Sequence, residues 1–314
     1  VSLLLAVTGW DTAPWLARLR ALLPGRELIT PETLTDRAGV DFGLSWRHRA
    51  GAFADLPNLR AIFSLGAGVD HVLVDPRLPD VPIVRVVDPD LTTRMSEWVV
   101  MQVLLHHRQF RRYDRQQAER AWAEDHRQPA AREVRVGMLG LGELGRDSAR
   151  KLQGIGFDVA GWSRSPKNVA GLPSFHGSDG LDALLARTDI LVSLLPLTPD
   201  TRGFLDASLF AKLAREGRLG GPFLINAGRG GSQVEADIVS ALDSGVLKGA
   251  SLDVFETEPL SPASSLWGYP NVFISPHNSA ISSPDAIARY VVEQILALER
   301  GEPLRNVIDR ARGY

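Results

Sequence analysis

The sequence predicts a two-domain α/β protein, each domain a doubly wound parallel sheet, and three observations carry that reading. Its 314 residues exceed the ~250–300 at which a single hydrophobic core stops growing and the chain divides. Short apolar runs alternate with amphipathic stretches along the whole chain, the pattern of strands joined by crossover helices. In the second half that alternation recurs six times at even spacing, the strand count of a six-stranded doubly wound sheet.

The first series opens with Leu3–Val7, an apolar run that lacks a basic lead and breaks at Thr8-Gly9 after one strand length. It reads as a buried strand rather than a targeting segment. A helical pattern over Ala13–Leu23 follows, then a strand over Leu59–Leu65 and a long helical pattern from Thr93 to about Ala123. Asp88-Pro89-Asp90 closes the first series, and Thr92, Thr93 and Glu97 offer helix N-terminal chemistry just after it. The segment Trp122–Glu133, polar and carrying Pro129, is either a linker or an arm that reaches another subunit. The second series comprises Val134–Leu139, Asp158–Trp162, Ile190–Leu194, Phe223–Asn226, Gly249–Val254 and Val272–Ser275, and the chain closes with a helix over about Pro284–Arg300 and a coil to Tyr314.

Hydrophobic residues at 44% and charged residues at 23% match ordinary soluble usage. The 35 basic and 37 acidic residues leave a formal charge of -2, so nucleic acid and anionic membrane surfaces find no electrostatic footprint. No apolar run approaches the ~18–20 residues of a membrane helix. The absence of cysteine excludes disulfides, thiolate metal sites and thiol nucleophiles and suits a cytoplasmic location. Small-molecule chemistry without a metal is the expectation.

Gly140-Leu141-Gly142-Glu143-Leu144-Gly145 fits G-x-G-x-x-G. Such a match is weak alone and strong here, because it follows the strand Val134–Leu139 and opens a helical run from Glu143 to Leu152. Gly140 allows the tight turn, Gly142 lets backbone approach a pyrophosphate, Gly145 permits close helix packing, and the helix N-terminus supplies N–H groups and dipole for the anion. About twenty residues on, where an acid would bind a ribose 2′-hydroxyl, the chain reads Trp162-Ser163-Arg164-Ser165-Pro166-Lys167. Hydroxyls and two cations suit a 2′-phosphate, and the missing acid removes repulsion. NADPH is therefore the expected cofactor, with NADH the alternative; the bland reading is a basic surface turn.

Asn226-Ala227-Gly228-Arg229-Gly230, Leu252 to Leu260 and Ser275-Pro276-His277-Asn278-Ser279 all sit near strand ends, where open α/β sheets bind ligands. Taken singly, Arg229 could be a surface cation, Glu258 a solvated acid and His277 a capped loop histidine. Together they form a set for hydride transfer to a keto acid: a proton donor, a carboxylate that favours the imidazolium, and a planar fork that can address carboxylate and keto oxygen at once.

These motifs resemble those of the D-2-hydroxyacid dehydrogenase family, and within it the glyoxylate/hydroxypyruvate reductase A group. The likeness spans nearly the whole chain, through Leu65-Gly66-Ala67-Gly68-Val69-Asp70, the glycine fingerprint, Trp162 to Ser165, Leu195-Pro196-Leu197-Thr198, Asn226 to Gly230, Leu252 to Leu260, Ser275 to His277 and the tail Asp309 to Tyr314. The resemblance implies that Arg229 clamps the substrate carboxylate and keto oxygen, that Glu258 partners His277, and that His277 is the acid/base. It implies that the backbone of Gly66, Ala67, Gly68 and Val69 holds the substrate carboxylate and that Trp46 lines the pocket. Gly140, Leu141, Gly142, Glu143, Leu144, Gly145, Ser163, Arg164, Ser165, Lys167, Pro196, Thr198, Ala227 and Asp253 fall at cofactor positions.

The implied architecture is a Rossmann-type cofactor domain, residues 99–284, inserted in a discontinuous substrate domain, residues 1–98 and 285–314, with the last helix and tail folding back and the domains closing over the substrate. A homodimer is implied, with Trp122 reaching toward the neighbouring active site. The implied reaction reduces a small 2-oxo acid such as glyoxylate or hydroxypyruvate with NADPH. The alternatives are an NADH enzyme for another 2-oxo acid, and a dinucleotide-sensing binding protein without turnover.

Two departures stand out. Gly228 replaces the family's usual alanine, a change expected to be harmless, and Asn278 to Ser283 is polar where the family is more apolar, which bears on substrate preference. Elsewhere, His106-His107 are too close in sequence to chelate one ion from a helix and are expected on the surface or in a subunit contact. Asp41-Phe42-Gly43 resembles a kinase triplet but has no companion motifs. His48, His71, His126 and His176 are expected to be solvated or structural.

Overall fold

The structure, a computed structural model, describes residues 2–281 and 283–314; Val1, and Ser282 in the polar stretch after His277, lie outside the described residues. The chain forms two compact units, Val1–Leu91 with Ser282–Tyr314, and Thr92–Ile281. Each is an α/β fold around a parallel sheet.

The first sheet holds β1 (Ser2–Val7), β2 (Glu27–Ile29), β3 (Val40–Trp46), β4 (Ala61–Ser64) and β5 (Ile83–Val84) in the order β2-β1-β3-β4-β5. Most residues of β1, β3 and β4 are buried, because both faces of the sheet are covered. On one side Leu3, Leu5, Phe42, Leu44 and Phe63 pack with Trp15 and Leu19 of the helix Ala13–Leu22 and with Ile287, Val291 and Ile295 of the helix Pro284–Glu299. The end of the chain thus completes the core begun at its start. The tail adds backbone pairing, with Ile308 N–H donating to the Ile83 carbonyl at 2.9 Å. β3 is not one of the continuous apolar runs, yet Val40, Phe42, Leu44 and Trp46 alternate with Asp41, Gly43 and Ser45, which is the period-two signal of a strand; the Asp41-Phe42-Gly43 triplet lies inside it.

The second sheet holds β6 (Arg135–Leu139), β7 (Asp158–Ser163), β8 (Ser174–His176), β9 (Ile190–Ser193), β10 (Phe223–Asn226), β11 (Gly249–Leu252) and β12 (Val272–Ile274), all parallel, in the order β12-β11-β10-β9-β6-β7-β8. Six are the strands read from the sequence. The seventh, β8, is three residues long and too short to show a period.

The helical pattern from Thr93 to Ala123 is two helices, Pro89–His107 and Phe110–Ala118, broken where Gln109 takes the left-handed conformation at φ 53°. The second of these buries no residue, so no core holds it in line with the first. His106 and His107 are buried, at 5% and 3% exposure, against the surface position the sequence suggested. His106 lies 2.8 Å from the Ser251 hydroxyl, which itself donates to Gln102, so the imidazole Nε2–H is the donor. Burial, helped by Arg111, pushes the His106 pKa down to about 3 and keeps the ring neutral. The partner that makes this burial tolerable is 145 residues away and invisible to local pattern.

Candidate active site

The glycine fingerprint joins β6 to the helix Glu143–Ile155. Gly140 stands at φ 99°, which an L side chain rarely adopts. At Gly145 a Cβ would lie 1.9 Å from the Gly140 carbonyl oxygen, so only glycine lets the helix sit this close to the loop. At Gly142, the helix N-cap, a Cβ would meet nothing within 4 Å: this is the open side of the cradle. Helical geometry leaves the first-turn N–H groups, Glu143 and Leu144 included, without intrahelical acceptors, and they supply donors for a phosphate there. Leu141 and Leu144 point their side chains elsewhere. Leu141 is 1% exposed and packs beneath Gly161, while Leu144 joins the core under β6.

At the end of β7, Ser163 is buried and its hydroxyl donates to the Ser165 carbonyl at 2.8 Å, which folds the turn. Lys167 reaches back to donate to the Leu141 carbonyl at 3.1 Å, bringing its charge beside the glycine loop. Arg164 pairs with Asp200 at 2.7 Å, on the loop after β9 that also carries Pro196 and Thr198. That loop is held by Thr201, whose hydroxyl donates to the Pro196 carbonyl at 2.6 Å and accepts from the Thr198 N–H at 2.8 Å. Ala227, buried, docks against the same strand end, donating its N–H to the Ser193 carbonyl at 3.2 Å. These residues suit a dinucleotide with a 2′-phosphate: an open glycine cradle at a helix N-terminus, then hydroxyls and two cations twenty residues on.

The three catalytic candidates stand on loops at the carboxyl ends of β10, β11 and β12. His277 Nδ1 lies 2.9 and 3.0 Å from the two Glu258 oxygens, with the imidazole one-third exposed. Glu258 also accepts from the Phe255 N–H at 3.2 Å, which orients the carboxylate. His277 itself has φ 52°, a strained setting for a residue with a side chain, so the surrounding structure must hold it there. Asp253 does so. Its backbone carbonyl accepts from the His277 N–H at 2.8 Å, and its fully buried carboxylate accepts from the Ser275 hydroxyl at 2.6 Å and from the Asn278 and Ser279 N–H groups at 3.0 Å each. The residue that the family resemblance puts at the cofactor is thus, in this fold, also the foundation of the histidine loop.

Arg229 is half-buried, and its Nη1 donates to the Gly228 carbonyl at 2.8 Å. Its own carbonyl accepts from the Ser232 hydroxyl at 2.6 Å. Asn226 donates to Gln233 at 2.8 Å, and Gln233 donates to the Val254 carbonyl at 3.0 Å, tying the arginine loop to the glutamate loop. Gly230 completes the join: a Cβ there would fall 1.8 Å from the Phe255 carbonyl oxygen. Gly228 is less extreme but still tight, since a Cβ would lie 2.6 Å from the Leu195 carbonyl oxygen and 2.9 Å from its nitrogen. Gln233 escapes sequence reasoning because it lies outside every motif, and Ser275, although it opens the histidine motif, shows its role only through a partner 22 residues back in the chain.

The remaining candidates lie in the first unit. Trp46 ends β3 and its ring stacks on Trp10 at 4.5 Å. The Gly66–Val69 loop follows β4; Val69 is buried in the core, whereas Ala67 and Gly68 are half-buried. The Ala67 and Gly68 N–H groups donate to no acceptor among the described residues, which leaves them available to an anion. His48 is structural: buried, it sits between the Ser45 hydroxyl at 2.6 Å and Asp75 at 3.2 Å, and burial lowers its pKa despite that carboxylate. His126 is solvated, with its side chain 85% exposed.

The profile of the family described as D-isomer specific 2-hydroxyacid dehydrogenase, NAD binding domain, matches residues 100–279. Glyoxylate/hydroxypyruvate reductase A of Serratia proteamaculans (strain 568) is 39% identical over 313 residues, covering 97% of each chain. The crystal structure of the NADPH-dependent glyoxylate/hydroxypyruvate reductase of Sinorhizobium meliloti, in complex with NADP and sulfate, is 51% identical and superimposes with a TM-score of 0.93 over 100% of this chain and 99% of that one. A D-isomer specific 2-hydroxyacid dehydrogenase from Xanthobacter autotrophicus Py2, in complex with NADPH and MES, is 40% identical with a TM-score of 0.93 over the same shares.

Proposed function

The chain belongs to the D-isomer specific 2-hydroxyacid dehydrogenase family, and from that membership we propose that it reduces glyoxylate, hydroxypyruvate or a similarly small 2-oxo acid to the 2-hydroxy acid at the expense of NADPH. The observation that carries the chemistry is the His277–Glu258 pair at 2.9 Å on a loop anchored by Asp253. When bound, NADPH supplies the hydride. Glu258 takes His277 Nδ1, which leaves Nε2 as the atom that delivers the proton to the keto oxygen. Arg229 offers two parallel donors to the substrate carboxylate and the developing oxyanion. The Ala67 and Gly68 amides are assigned to the substrate carboxylate, and Trp46 to the side of the substrate. Gly140 to Gly145, Pro196, Thr198 and Ala227 are assigned to the dinucleotide, and Asp253 acts there through the loop it supports.

Ser163, Arg164, Ser165 and Lys167 are assigned to the 2′-phosphate. Charge-assisted hydrogen bonds are worth roughly 1.5–3 kcal/mol each, so NADPH should be favoured over NADH by at least about tenfold in kcat/KM. Arg164→Ala should erode the preference mainly by raising KM for NADPH. Initial rates over a panel of 2-oxo acids with both reduced cofactors test the assignment. Equal use of the two cofactors, or an Arg164→Ala defect that is the same for both, would show the turn to be an ordinary solvated loop, and absence of turnover with any 2-oxo acid would favour a dinucleotide-sensing role.

The finer reading includes a cytoplasmic homodimer. Among the described residues no helix is long and apolar enough to cross a membrane, and the lack of cysteine suits a reducing compartment. Trp122 is 92% exposed, and Phe110, on the helix that buries nothing, is 60% exposed. The arm that carries Trp122 is nevertheless fixed at its base, where Asp125 accepts from Arg112 at 2.8 Å and Gln109 at 3.1 Å. An anchored arm with an exposed indole is suited to a second copy of the chain. Light scattering should give twice the 34.2 kDa chain mass, and a monomer at working concentration would rule the dimer out.

A further inference from the structure

In the first unit one histidine ties together the two loops assigned to the substrate, and its hydrogen bonds admit a single arrangement. His71, on the short helix Asp70–Leu73, points Nδ1 at the backbone N–H of Arg47, 3.1 Å away, and Nε2 at the Ser64 hydroxyl, 3.2 Å away. A backbone N–H can only donate, so Nδ1 must be an unprotonated acceptor and the proton must sit on Nε2. Ser64, fully buried, has room for that proton. Its hydroxyl gives its one hydrogen to the Gly68 carbonyl at 2.9 Å or the Gly66 carbonyl at 3.1 Å, and accepts from the Gly66 N–H at 3.2 Å, so the second lone pair receives His71 Nε2–H.

What this network holds is the setting of Trp46 against Gly66. Arg47, next to Trp46, is in the left-handed region at φ 46°, a conformation that costs a non-glycine residue about 1–2 kcal/mol and is stabilised here by the bond to His71. The indole of Trp46 lies between Trp10, stacked at 4.5 Å, and the His71 ring at 4.9 Å. Its edge rests on Gly66, where a Cβ would be only 2.6 Å from the ring. One side chain therefore fixes the turn after Trp46, touches the Trp46 ring and braces the Gly66–Gly68 loop.

We propose that His71, as the neutral Nε2–H tautomer, is a positioning residue for substrate binding, setting Trp46 and the Ala67 and Gly68 amides in register for the carboxylate of a small 2-oxo acid. The inference rests on the assignment of these two loops to the substrate. Because the residue organises binding rather than the reacting atoms, its loss should appear in the substrate KM. His71→Phe, which keeps a ring against Trp46 and removes both hydrogen bonds, should raise KM for glyoxylate about tenfold while kcat stays within about threefold and KM for NADPH is unchanged. His71→Asn, whose side-chain oxygen can still accept from Arg47, should recover part of the loss. NMR of the ring nitrogens, with His71 identified by the signal that His71→Phe removes, should show a bare Nδ1 and a protonated Nε2. A proton on Nδ1 would overturn the proposal, and so would an unchanged glyoxylate KM in His71→Phe while Trp46→Ala raises it. If Trp46→Ala also leaves KM unchanged, the assignment of these loops to the substrate falls, and the proposal with it.

Discussion

Replacing His277 with glutamine should lower kcat by about 10²–10⁴-fold, the range that general acid–base catalysis supplies, and leave NADPH binding unchanged. Glutamine can keep a hydrogen bond toward Glu258 and fill most of the space, so the loop should survive, but it has no proton to give at neutral pH. The geometry argues that the loop survives for a second reason. Its backbone is held from below by Asp253, through the His277, Asn278 and Ser279 N–H groups, and none of those bonds uses the imidazole. A loss confined to kcat, with the NADPH dissociation constant intact by fluorescence titration, is the expected result. Less than a threefold change in kcat would remove His277 from the mechanism.

Arg229→Ala should cost about 10²-fold or more in kcat/KM, since two charge-assisted hydrogen bonds of roughly 1.5–3 kcal/mol each are lost, and Arg229→Lys should recover only a fraction of it. The main chain at this position is fixed independently of the side chain, by the Ser232 hydroxyl on the Arg229 carbonyl and by the fit of Gly230 against Phe255. A defect in either variant thus reports on the guanidinium rather than on a collapsed loop. Lysine places a point charge where two donors in one plane are wanted. Lysine and arginine enzymes with the same kcat/KM for glyoxylate would contradict the clamp.

The parts of this molecule that announce themselves in sequence are those whose physics is local. Six of the seven strands of the second sheet are short apolar runs and can be read as such, and the glycine fingerprint is legible because a tight turn and a close helix approach each require glycine at a fixed spacing. Strand β3, central in the first sheet, is legible by its period of two rather than by an apolar run, since Val40, Phe42, Leu44 and Trp46 alternate with Asp41, Gly43 and Ser45; what the alternation does not show is where those three residues go, with the Asp41 carboxylate accepting from the Ser2 N–H at 3.1 Å and Gly43 making room for the Phe53 ring. Gln109 is an ordinary helix former, and its left-handed turn follows from where the core ends rather than from its own preference. The motifs likewise point to Arg229, Glu258 and His277, but not to how they are held. Gln233 bridging two loops, Asp253 beneath the third and His71 between two others are non-local hydrogen bonds, and no period or spacing encodes them.

Gly228 stands against the main chain of Leu195, and that contact limits what the position can accept. A methyl group at 228 would press on the main chain of Leu195, not on the yielding end of a side chain, so accommodation requires the segment before Pro196 to move. Residue 228 and the path of the backbone at 194–195 are consequently an epistatic pair. An alanine at 228 and the present path of residues 194–195 exclude each other, so the methyl group can enter only together with a shift of the Leu195 main chain.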